Sequence, residues 1–99
     1  MRELSLADSV AINPDVVFRA LDGEAVLLSL DAGIYYGLDP VGTKIWELMV
    51  ELGSLRLVFE AMLREYDVEA ATLERDLLRL VNDLCANGLS LATDPLTSR

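Results

Sequence analysis

Few residues in this chain have side chains able to do chemistry, and they fall in two places. Tyr35 and Tyr36 stand together in Ile34-Tyr-Tyr-Gly-Leu38, while Asp76, Arg79, Asp83 and Cys85 share a leucine-rich stretch. There is no histidine, and Cys85 is the single cysteine. The Ser–His and Cys–His pairs that activate a nucleophile are therefore missing, along with the commonest general base near neutral pH. An internal disulfide is impossible, and zinc sites built from Cys and His are excluded. No pair of carboxylates stands in a recognisable catalytic context, so the chain reads as non-catalytic, with no cofactor and no metal.

What remains is recognition. Asp76, Arg79 and Asp83 follow at spacings of three and four, which puts them on one side of a helix. A solvated charged face is the plain reading, and it is preferred for Asp83; Asp76 and Arg79 are candidates to rim a groove and orient a charged ligand residue. Leu78 and Cys85, with Val81 between, form a second apolar stripe beside Leu77, Leu80 and Leu84. Such a helix is either buried on two sides or lines an apolar groove awaiting a ligand. Cysteine is more often a small buried hydrophobe than a reactive thiol, and no neighbour in sequence stands out as activating Cys85. The tyrosine pair divides in the same way, between a strand with one core face and an edge strand open to β-augmentation. Trp46, one position off its helical stripe, reads as a core or boundary residue.

The elements that position these residues follow from periodicity. Ile34, Tyr36 and Leu38 alternate with Tyr35 and Gly37, the period of a strand. Asp39 then caps a helix, and Pro40 suits its first position. Val16 to Leu21 is rich in β-branched and aromatic residues, Asp22-Gly23 is a two-residue hairpin signal, and 24–31 returns with Val26, Leu28 and Leu30 on one face. Residues 16–38 are thus expected to form a three-stranded antiparallel meander. Three helices should follow: about 40–52, ending at Gly53; about 55–66, capped by Ser54; and about 69–87, capped by Asp67 and stopping at Gly88 with Leu89 packed back on Leu84. Leu4, Leu6, Val10 and Ile12 suggest an edge strand or a loosely held arm, and the tail from Ser90 is expected to fray. The predicted fold is α+β, a β-meander followed by three helices, similar in build to a winged helix-turn-helix. The division is 1–12 arm or edge strand, 13–91 recognition domain and 92–99 flexible tail.

Composition narrows the partners. The 99 residues suffice for one domain with one core. Seventeen acids against eight bases give a net charge of −9, with a single lysine, poor material for neutralising phosphates. Nucleic acid is disfavoured on that ground, and a basic or amphipathic peptide suits the field better. Charges interrupt every apolar run, so no membrane span is expected. The acidic N-terminus is unlike a signal peptide, which points to the cytoplasm.

One resemblance joins these pieces. Asn13-Pro-Asp-Val-Val-Phe-Arg, Ala25-Val-Leu-Leu-Ser-Leu-Asp, Tyr35-Tyr-Gly-Leu-Asp, Gly42, Ile45-Trp-Glu-Leu, Tyr66-Asp-Val and Asp76-Leu-Leu…Leu84…Gly88-Leu89 occur in an order and spacing similar to the PqqD family, over roughly residues 12–91. The resemblance implies a small non-catalytic protein that binds the leader of a ribosomally made precursor peptide and presents it to a tailoring enzyme. It also implies that the leader adds as a strand beside Ile34, Tyr35, Tyr36, Gly37 and Leu38. The cleft wall would then include Asp76, Leu77, Leu78, Val81, Leu84 and Cys85. A free-standing member of this size most resembles the leader-binding protein of lasso-peptide biosynthesis, whose partner is a cysteine protease acting as leader peptidase. The alternatives are a peptide chaperone for a radical SAM enzyme in PQQ biosynthesis and, further off, a winged-helix DNA-binding regulator. If Val81 lines the groove, Val81→Asp should abolish binding without unfolding the domain.

Overall fold

The computed structural model describes residues 4–22 and 24–93. In chain order they form β1 (Ser9–Ile12), β2 (Val16–Leu21), β3 (Glu24–Ser29), β4 (Ile34–Leu38), α1 (Pro40–Leu52), α2 (Leu55–Glu65), α3 (Ala70–Ala86) and β5 (Ser90–Thr93). The fold is α+β, with β2-β3-β4 as the expected antiparallel meander. Asp22 takes φ +55 at the first hairpin, the left-handed conformation that a tight two-residue turn asks for; Gly23 lies outside the described residues. At the second turn Gly33 has φ +71, and its N–H donates to the Ser29 carbonyl at 2.9 Å.

Local chemistry sets the helix limits. Asp39 accepts from the Gly42 N–H at 2.7 Å and Pro40 opens α1. A Cβ on Gly42 would come within 3.3 Å of that carboxylate, so glycine lets the cap approach. Gly53, at φ +74, ends α1 by donating to Met49, and Ser54 caps α2 through the Leu57 N–H. The α3 start differs from expectation: its cap position is Glu69, not Asp67, and Glu69 accepts from the Thr72 hydroxyl instead of a backbone N–H. At the far end Gly88 (φ +73) and a Leu89 N–H bond to Leu84 O at 2.9 Å form the expected Schellman-type stop.

The chain beyond that stop does not fray at once. Ser90–Thr93 pairs antiparallel with Ser9–Ile12, Val10 opposite Ala92 and Ile12 opposite Ser90. Leu89 and Ser90 are fully buried, which explains why pairing replaces the expected loose tail; residues 94–99 lie outside the described residues. Asn13 clamps this junction, with its side-chain amide donating to Gly88 O at 2.7 Å and its N–H to Leu89 O at 3.2 Å. The arm at 4–12 is likewise held: Leu6 and Val10 are in the core, and the Val10 N–H donates to Gly53 O.

The core lies where α1 touches both sheets and α2. Trp46 is buried within it at 3% exposure. On β3 the buried face is Ala25, Leu27 and Ser29, while Val26, Leu28 and Leu30 are exposed. The larger apolar face therefore points outward.

Candidate functional site: a cleft between an open strand edge and α3

Strand β4 is the last of the meander and has a neighbour on one side only. Which of its groups are free follows from the ladder. The Leu30 N–H donates to Asp15 O across the β2–β3 pair, so even-numbered residues on that strand bond toward β2. In an antiparallel sheet the direction alternates, which turns Ala25, Leu27 and Ser29 toward β4. Their partners Leu38, Tyr36 and Ile34 bond inward. Tyr35 and Gly37 are left with N–H and C=O groups aimed at the open edge.

Beside that edge runs a cleft of about 550 Å³. Tyr36, Gly37, Leu38 and Asp39 form one wall, Val41, Gly42 and Ile45 of α1 the floor end, and Asp76, Arg79, Leu80 and Asp83 of α3 the opposite wall. Gly37 is informative here, because a Cβ built on it would meet no atom within 4 Å. The protein's own packing does not require glycine at that position. Backbone donors and acceptors, an apolar floor and a short row of charges are what an extended peptide needs on three of its sides.

The electrostatics are lopsided. Three carboxylates, Asp39, Asp76 and Asp83, face one guanidinium, Arg79. The Tyr36 phenol is held above its ordinary pKa, first by burial and then by the neighbouring Asp83 carboxylate. That pair spans the cleft between β4 and α3. Asp83 is exposed, as expected of a solvated charge, and also borders the cleft beside Tyr36; its place four residues after Arg79 and seven after Asp76 was the available signal.

The residues expected at the site separate into three groups. Ile34 to Leu38 and Asp76 do border the edge or cleft, though Tyr35 projects to the outer face at 76% exposure. Leu77, Val81 and Leu84 do not line the groove: all three have 0% exposure and belong to the core. Leu78 and Cys85 are half-buried against that core, and the Cys85 Sγ lies 3.3 Å from the Ser90 hydroxyl, so the thiol faces β5. At about 100° per residue, Leu78 and Cys85 sit on one flank of the buried stripe and Asp76 and Asp83 on the other. One groove cannot take both flanks. Leu80, Asp39, Val41, Gly42 and Ile45 were not anticipated as lining residues.

Among the described residues no group of His, Cys, Asp and Glu is placed to hold a metal ion, and no helix is long and apolar enough to cross a membrane.

Comparison with known proteins is consistent in its direction. Two solved structures align closely. TbiB1 in complex with the TbiA(beta) leader peptide is 39% identical, with 80% of this chain and 92% of that one covered at a TM-score of 0.76. Lasso peptide synthetase B1 complexed with the leader peptide is 29% identical, covering 84% and 98% at 0.75. No curated protein matches. Residues 24–89, from β3 to the end of the α3 stop, match the family described as Coenzyme PQQ synthesis protein D (PqqD), and the chain belongs to that family.

Proposed function

We propose that this protein binds the leader segment of a ribosomally synthesised precursor, a lasso-peptide precursor by the two solved neighbours, and presents it to a leader peptidase or another tailoring enzyme. The observation that carries the reading is the conjunction of a free β4 edge with the 550 Å³ cleft, in a fold whose 39% identical neighbour was solved with a leader peptide. The leader adds antiparallel to Ile34–Leu38, bonding to the Tyr35 and Gly37 main chain. Its side chains on the cleft side pack over Leu80, Val41 and Ile45, and its charged residues meet Arg79 or the carboxylates. Burial of two or three apolar side chains at about 1.5–3 kcal/mol each, with the main-chain hydrogen bonds added and the cost of ordering the peptide subtracted, points to an affinity of about micromolar. The protein itself breaks no bond, and the leader, not a cofactor, is its ligand.

The test is a fluorescence-polarisation titration with a labelled synthetic leader, run on wild type and Gly37→Pro. Proline removes an outward N–H that the meander does not use, a substitution that edge strands accept. The expected outcome is saturable binding by wild type, lost with a scrambled leader, and a loss of at least about tenfold in the variant with its melting temperature retained. Equal binding by both proteins excludes strand addition at β4.

A further inference from the structure

The meander has a second open border. Strand β2 stands at the far side of the sheet from β4, and by the same alternation Phe18 and Ala20 turn their N–H and C=O groups away from β3. Val16 contributes only its carbonyl, since its N–H donates to Asn13 O at 3.0 Å. Directly under this edge lies a pocket of about 260 Å³ formed by Phe18, Trp46, Glu47 and Val50. Buried Trp46 makes its floor, and Val50, 60% exposed on α1, makes an outer wall. The pocket has room for one aliphatic or aromatic side chain, placed where alternate residues of a strand added to β2 would point.

Charge decides the occupant. Glu47 stands on the rim, Glu51 follows it one turn along α1, and Asp15 and Asp22 bracket β2. The strand's one base, Arg19, is on the opposite face of the sheet, paired with exposed Val26. An acidic border on a chain of net charge −9 repels a second copy and attracts a basic segment. We infer that the β2 edge and the Phe18–Trp46–Val50 pocket dock an extended segment of the enzyme that processes the leader-bound precursor. An apolar side chain of that segment enters the pocket, and a neighbouring Lys or Arg faces Glu47. The inference rests on the reading of β4 as the leader edge. Two strand spacings, about 10 Å, separate the two borders, so leader and enzyme would extend one continuous sheet from opposite sides.

The experiment measures binding of a purified leader peptidase that cleaves the bound precursor to wild type, Val50→Glu and Ala20→Pro, with leader affinity titrated on the same three proteins. Val50 is exposed, and Ala20 offers an outward N–H on an edge, so both variants should fold. The expected result is enzyme binding weakened at least about tenfold in each variant, with leader affinity unchanged within about twofold. Enzyme binding that is absent in wild type, with or without leader, or equal in all three proteins, overturns the inference while leaving leader recognition standing. Loss of leader binding in the variants also overturns it, because the two edges would then not be independent. A wild-type dimer in sedimentation that Val50→Glu dissolves would assign the edge to a second copy instead. Absence of leader binding by wild type is the separate failure of the function proposed for β4.

Discussion

The buried stripe of α3 and its cleft-facing flank lie within a fraction of a turn of each other yet answer to different constraints. Leu77, Val81 and Leu84 are fully enclosed by the protein's own side chains, so their shape is set by packing. Asp76, Arg79 and Asp83 face open space, and only Asp83 has a partner there, the Tyr36 phenol. Leu80 is shared, half-buried and part of the cleft. The contrast teaches that a helix can be strongly apolar without offering an apolar groove: the extra leucines close the core, and the flank that borders the cleft is largely charged.

Substitutions sharpen this contrast in a graded order. Val81→Asp places an unpaired charge in the core and should cost about 4 kcal/mol or more, unfolding the domain; a folded variant by circular dichroism would move Val81 out of the stripe. Leu77→Ala should cost about 2–5 kcal/mol by urea denaturation, while the folded fraction keeps its leader affinity. Asp83→Asn should be mild in stability and clear in titration. Tyr36 has a raised pKa, so the folded state holds its proton longer than the unfolded chain; the associated stability is present below about pH 10 and disappears as pH climbs through the folded-state value. Removing the carboxylate should lower the Tyr36 titration midpoint toward the residual effect of burial, read by tyrosinate absorbance, and a midpoint that stays put would deny the contact. Arg79→Ala should leave stability within about 0.5 kcal/mol but change leader affinity; an identical dissociation constant would remove Arg79 from the cleft.

The same contrast explains what could be read from sequence. The meander, the Asp39-Pro40 start of α1, the Ser54 cap and the Gly88-Leu89 stop were legible because each depends on local residue chemistry. The facing of α3 was not. Apolar residues at 73, 77, 78, 80, 81 and 84 spread over about 160° of the helix circumference, and periodicity alone cannot say which slice is innermost. Strand β5 was hidden for another reason: four residues with serine at their head and threonine at their end carry little strand signal, and their partner lies at the other end of the chain. The outward face of β3 was ambiguous too, since Val26, Leu28 and Leu30 make a more apolar row than the buried Ala25, Leu27 and Ser29.

The union of β1 with β5 has a kinetic consequence. The Asn13–Gly88 bond that clamps it closes 75 positions of sequence, whereas the meander and each helix pair near neighbours. Contacts of such long range must wait until the chain between them has been ordered. The clasp should therefore be the last part to form and the first to open, in a sub-global step that leaves the helices and the β4 edge intact. In native-state hydrogen exchange the amides of Ser9–Ile12 and Ser90–Thr93 would exchange as one group, earlier than those of Leu77 to Leu84. Protein caught in that open form would still carry its cleft.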